Sequence, residues 1–140
     1  MVTVVGIAFA WPTGSKVDQP GGVGWVTVGQ VGDFELFEPV RNREHRFWLV
    51  KLGDETFLAL LARDPRLGCT IVWVPDLRVV DSTGAFRNPC PSQVYNLNGR
   101  CLSGRCIRGM DGFPVRILDR EVQVNPDPKK VIPGLPVGQE

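Results

Sequence analysis

Histidine is almost missing from this 140-residue chain: His45 is its sole example. That scarcity excludes any metal centre needing two imidazoles, and it leaves the serines without a partner in any recognisable Ser-His arrangement. No segment stays apolar for the ~20 residues that cross a bilayer, and no block of like charge forms a nucleic-acid arm. Sixteen basic residues against fifteen acidic ones give a net charge of +1, so bulk charge selects no partner. A Gly-rich phosphate loop, an internal repeat and a long 3.6-residue apolar period are all absent. His45 itself sits among Arg43, Glu44 and Arg46 in what reads as a solvated turn. With no catalytic constellation left, the chain is expected not to be an enzyme.

What the chain has is turns and short apolar runs. Sixteen glycines and twelve prolines favour short strands joined tightly, and a hydrophobic content of 43% is ordinary for one globular domain. The expectation is all-β. Strands are expected from Trp25, over Phe34–Pro39, over Phe47–Val50 and Thr56–Leu61 around a Gly53-Asp54 turn, and over Ile71–Val74 and Leu77–Val80. Further strands are expected over Gln93–Leu97, Arg100–Leu102 (returning from an Asn98-Gly99 hairpin), Val115–Leu118 and Val122–Val124. The chain divides into an apolar segment 1–11, a Gly/Pro linker 12–24, a domain 25–125 and a Pro-rich arm 126–140 expected to be extended. Segment 1–11 reads either as a β-strand, favoured by Val2, Thr3, Val4 and Val5, or as the outer end of a membrane anchor with Trp11 at the interface.

Four cysteines, Cys69, Cys90, Cys101 and Cys106, allow three disulfide pairings. Disulfides would imply an oxidising, extracytoplasmic compartment. Two other readings stay open: a zinc knuckle on the Cys101-x4-Cys106 spacing, whose second close pair is not apparent, and four reduced, inert thiols.

Two boxes carry more information. Asp64-Pro-Arg-Leu-Gly-Cys69 and Asn88-Pro-Cys90-Pro-Ser-Gln93 resemble the cluster-binding loops C-T-H-L-G-C and C-P-C-H-G-S of Rieske iron–sulfur domains. The resemblance extends from about Phe47 to Val124. Gly68-Cys-Thr-Ile-Val-Trp73 is similar to the G-C-x-x-x-W after the first box, and Tyr95 stands where the family has an aromatic. Gly104-Arg-Cys-Ile-Arg108 matches the third loop, usually G-P-A-P-R, without its prolines. The resemblance implies a Rieske-type antiparallel β-sandwich with a smaller, loop-rich subdomain. It also implies a Cys69–Cys90 disulfide, leaving Cys101 and Cys106 for each other as a structural substitute for the third-loop prolines.

The family's four ligand positions fall on Asp64, Arg66, Asn88 and Pro91. A Rieske centre takes two thiolates on one iron and two imidazoles on the other. Arg66 and Pro91 offer no lone pair, and Asp64 and Asn88 suit hard cations rather than a sulfide-bridged iron pair. The expectation is therefore no cluster, no cofactor and no metal. The resemblance then implies a redox-inactive, structural or docking subunit of a membrane-associated respiratory or photosynthetic electron-transfer complex. It would sit on the extracytoplasmic face beside cytochrome b- or c-type partners, with no nucleic-acid role. Arg63, Arg66, Arg87, Arg105 and Arg108, with Arg100 close by, are the expected docking residues, gripping carboxylates by bidentate pairs. Two other classes remain: an accessory domain of an oxidoreductase, resembling the cluster-less small subunit of assimilatory nitrite reductase, and an electron carrier with another metal.

Overall fold

In the computed structural model, residues 24–90 and 92–137 are described. Segment 1–11, the linker apart from Gly24, Pro91 and the last three residues of the arm lie outside them.

Eleven strands run along the described chain: β1 (Val26–Gln30), β2 (Val40–Asn42), β3 (Phe47–Gly53), β4 (Thr56–Leu61), β5 (Val72–Val79), β6 (Ser82–Asn88), β7 (Gln93–Tyr95), β8 (Cys101–Ser103), β9 (Gly112–Phe113), β10 (Val115–Leu118) and β11 (Glu121–Val124). They form three sheets, ordered β1-β11-β10, β2-β3-β4-β9 and β5-β6-β7-β8, and every strand pair is antiparallel. Short 3-10 turns at Val31–Asp33 and Pro128–Lys130 are the helical pieces, so the fold is all-β. Among the described residues no helix is long and apolar enough to cross a membrane.

The period-2 alternation of β3 and β4 makes the second sheet the middle layer. Phe47, Leu49, Phe57 and Ala59 point into a core with Val122 and Val124 of the first sheet. Val50 and Leu60, on the opposite face, join Ile71, Phe86, Tyr95 and Met110 beneath the third sheet. Trp48 belongs to that second face; its indole Nε1 donates to the Ile71 carbonyl at 2.9 Å. Burying these side chains removes them from water at about 1.5–3 kcal/mol each.

Three local expectations are corrected. The segment 34–39 is not a strand. Asp33 Oδ2 accepts from Gln30 N at 2.9 Å, ending β1, and Lys51 Nζ donates to the carbonyls of Val31 and Phe34 at 3.0 and 3.2 Å, which a strand would have offered to a neighbour. Residues 71–74 and 77–80 belong to one strand, β5, with an irregularity between Val74 and Arg78 that accommodates Pro75. The turn between β3 and β4 falls on Asp54 and Glu55, one residue later than Gly53-Asp54, because a bulge follows Lys51.

The arm runs back across the domain. Gly112 N donates to Ile132 O at 2.9 Å, Ile132 N returns a bond to Gly112 O at 2.7 Å, and Gly109 N donates to Leu135 O at 2.8 Å. Past its 3-10 turn, the arm is thus an extended strap hydrogen-bonded to the loop at 107–112.

Candidate functional site

Three loops meet at one end of the third sheet: 62–71, 88–93 and 103–111. The first closes on itself. Asp64 N donates to Cys69 O at 2.8 Å, Gly68 N donates to Asp64 O at 2.9 Å, and the buried Asp64 carboxylate accepts from Arg66 N at 3.3 Å and Leu67 N at 3.1 Å. The second loop repeats the device. Ser92 N donates to Asn88 O at 2.9 Å, and Asn88 Oδ1 accepts from Cys90 N at 3.0 Å. Asp and Asn are the residues that nucleate such turns, because a short side-chain acceptor reaches a backbone N–H two residues ahead.

Asn88 has a second role. Its side chain is 0% exposed, and Nδ2 donates to Gln93 Oε1 at 2.9 Å. The same Gln93 oxygen accepts from Tyr95 Oη at 2.8 Å, and Gln93 Nε2 donates to Arg105 O at 2.9 Å, tying the second loop to the third. Both lone pairs of Gln93 Oε1 are therefore used, and no buried member of this network is left without a partner. Burial pushes the Tyr95 phenol above its ordinary value, which keeps it protonated and donating.

Two disulfides brace these loops. Cys69–Cys90 joins the first to the second across 21 residues, and Cys101–Cys106 closes the third; the Cα atoms stand 6.2 Å apart in each. That separation lies within the span a disulfide bridges. All four cysteines are paired, so the zinc and free-thiol readings of the sequence do not hold.

The expected docking arginines divide. Arg63, Arg66, Arg105 and Arg108 line one cleft of about 250 Å³ between the three loops, floored by Ile71, Tyr95 and Met110. Arg87 does not: it sits on β6, opposite Val72 and Val94. Arg108 is already engaged, its Nε and Nη2 donating to Asp111 Oδ1 and Oδ2 at 2.9 and 3.0 Å. That hydrogen-bonded carboxylate holds the guanidinium even further above its ordinary value. Arg100 contributes its backbone N–H to Asn96 Oδ1 at 2.9 Å and lines a different, larger cavity of about 440 Å³ under the strap. His45 does not line the cleft: it is half-buried in the turn before β3, where its backbone N–H donates to Asn42 Oδ1 at 2.8 Å.

Sequence reasoning missed Gln93, the hub of the network. It also missed that Asp64 and Asn88 form turns, although Asp64-Pro65 and Asn88-Pro89 are both turn-initiating pairs. Pro91 lies outside the described residues.

No protein-family model matches the chain, and no curated protein matches it in sequence. Among solved structures the chain is similar to the cyanobacterial plasma membrane Rieske protein PetC3 from Synechocystis PCC 6803, with a TM-score of 0.52 and 18% identity, covering 71% of this chain and 98% of that one. A likeness to a protein assigned as the small subunit of NADPH nitrite reductase, at a TM-score of 0.43 and 18% identity over 71% and 96% of the two chains, is too weak to build on. The fold is Rieske-type.

The [2Fe–2S] centre that this fold carries elsewhere does not fit the residues found here. The residues that the sequence resemblance sets at its thiolate positions, Asp64 and Asn88, are both committed to hydrogen bonds inside their own loops, and Arg66, set by it at an imidazole position, has no lone pair to give. The thiols of the chain are consumed in disulfides.

Proposed function

We propose that the chain is a redox-silent Rieske-type subunit: a structural and docking component of a membrane-associated electron-transfer assembly, placed on the extracytoplasmic side and performing no catalytic step of its own. The observation that supports this reading is the hydrogen bonding of Asp64 and Asn88, the two residues that the sequence resemblance sets at thiolate positions. Asp64 and Asn88 hold, by side-chain hydrogen bonds, the loops that metal ligation would otherwise hold, so the tip keeps a fixed shape with protein groups alone. A tip maintained in this way has a surface to present rather than an electron to pass.

Two further facts support it. Paired disulfides persist in oxidising compartments, and one of the solved structures similar to the chain is of a plasma-membrane Rieske protein. A cytoplasmic accessory domain would have no use for such staples.

The test is the intact mass of native, unreduced protein before and after alkylation, with iron and zinc quantified in the same sample, followed by native electrophoresis of membranes from the source cell. The expected result is a mass four hydrogens light, no alkylation, no stoichiometric metal, and co-migration with a haem-containing complex. Stoichiometric iron, or four alkylated thiols, overturns the silent-subunit reading. Migration away from every haem-containing complex overturns the docking role.

A further inference from the structure

We propose that the cleft between the three tip loops is a receptor for the carboxylates of an acidic segment on the partner protein. This deepens the docking reading above and rests on it.

Charge is the first argument. Arg63, Arg66 and Arg105 line the cleft, and none of these three guanidiniums makes an ion pair or a side-chain hydrogen bond among the described residues. Both carboxylates in the lining are spoken for. Asp111 is forked by Arg108 and also accepts from Gly134 N at 3.0 Å, while Asp64 is buried against Arg66 N and Leu67 N. Four arginines against two carboxylates thus leave the lining at +2 around a small concavity whose floor of Ile71, Tyr95 and Met110 is buried. A concave, low-dielectric floor strengthens the attraction for an incoming anion.

Donor type narrows the ligand. The free donors are all guanidinium forks; the described lysines sit elsewhere, Lys51 on β3 and Lys129 and Lys130 in the arm. In the first loop the backbone N–H groups of Asp64, Arg66, Leu67 and Gly68, of the kind that cradle phosphates in loop sites, are bonded within the loop itself. Planar guanidinium forks match the planar geometry of carboxylates. At about 250 Å³ the cleft is below the size of ordinary cofactor pockets and suits one or two acidic side chains. Ile107, 68% exposed on the rim, offers an apolar contact to a neighbouring residue of the same segment.

Rigidity is the third argument. The first loop is tied to the second by Cys69–Cys90, the third is closed by Cys101–Cys106, and Gln93 bonds the Arg105 carbonyl. Arg66 and Arg105 are therefore presented from fixed backbone, which lowers the ordering cost of binding.

The experiment is fluorescence anisotropy of a labelled Glu-Glu-Leu-Glu-Glu peptide titrated with the disulfide-intact protein at low ionic strength. Comparisons are the Gln-Gln-Leu-Gln-Gln peptide, the Arg66→Glu/Arg105→Glu variant, the Arg87→Glu variant and inorganic phosphate as competitor. The expected result is saturable binding of the acidic peptide alone, weakened about tenfold or more by the cleft variant and unchanged by Arg87→Glu. Should the double reversal misfold by near-ultraviolet circular dichroism, Arg105→Gln serves, since its backbone carbonyl bond to Gln93 is retained. Absence of binding, equal loss with Arg87→Glu, or displacement by phosphate at the peptide's own concentration overturns the proposal. Co-migration of the cleft variant with the haem complex after peptide binding is lost also overturns it, and leaves the docking reading standing on another face. Failure of the wild type to co-migrate sinks the docking reading, while the peptide titration still judges the cleft.

Discussion

Asn88 Nδ2 donates to Gln93 Oε1 at 2.9 Å, and through that bond the second loop is tied to the network beneath the tip. Truncating Asn88→Ala would strip Cys90 N of its acceptor and Gln93 of one donor. An unsatisfied buried group costs about 1–3 kcal/mol, so urea denaturation should show a loss of that order. The pair Asn88→Ala and Gln93→Ala should be non-additive, with a coupling of about 0.5–3 kcal/mol. Strict additivity would show that the two side chains do not act together.

The two disulfides should differ in worth. On the chain-entropy account, the Cys69–Cys90 loop, with a separation of 21, stabilises by about 3 kcal/mol and the Cys101–Cys106 loop, with a separation of 5, by about 2 kcal/mol. Paired Cys→Ala variants compared by denaturation midpoint test this ordering. A larger loss for the Cys101/Cys106 pair would mean that the third loop, carrying Arg105, leans on its bond for more than chain entropy.

The sequence made part of this structure legible and hid the rest for physical reasons. The disulfide partners were readable only through the family resemblance, since four cysteines alone leave three pairings. Strand β6 was hidden because Ser82-Thr-Gly-Ala-Phe-Arg-Asn88 has the composition of a turn. Its burial is decided by long-range packing, with Phe86 lying 5.8 Å from the Trp48 ring and 5.0 Å from Trp73. Gly84 in mid-strand, at φ +97°, makes sense only once the Trp73 ring is seen 2.7 Å from where a Cβ would stand. Gln93 was invisible because its function needs Arg105 O, twelve residues away, and the Tyr95 hydroxyl in place. By contrast, the alternation in Phe47–Val50 and Thr56–Leu61 is local and was readable.

Tyr95 is the single tyrosine, so its ionisation can be followed by tyrosinate absorbance without ambiguity. Burial raises its pKa above the ordinary value of 10.0. The folded protein thus holds the phenolic proton more tightly than the unfolded chain. This contribution to stability is fully present below about pH 10 and is lost as pH rises through the raised value. Tyrosinate should appear at higher pH in the native protein than in urea, and Tyr95→Phe should flatten the alkaline fall in stability. Ionisation at the same pH in both states would contradict the buried Gln93–Tyr95 bond.

The strap offers the last check, because its hold on the tip depends on a close backbone approach. A Cβ at Gly134 would run into the carbonyl of Gly109, and one at Gly109 into the carbonyl of Gly99; both obstacles are backbone, which cannot swing aside as a side chain can. Gly134→Ala should therefore push the strap away from the loop, weakening the Gly112–Ile132 pair and the bond from Gly134 N to Asp111. Asp111 would keep Arg108 but lose its backbone donor, and the third loop would loosen on its outer side. Hydrogen exchange should accelerate at Gly109, Gly112 and Ile132 in this variant while Leu49 and Val50, in the middle sheet, stay protected. Limited proteolysis should then cut after Lys129 or Lys130, where the exposed 3-10 turn leads into the strap. Unchanged exchange at all three positions would show that the approach of Gly134 to Gly109 is not what holds the arm, and that the apolar contacts of Val131 with the first core suffice.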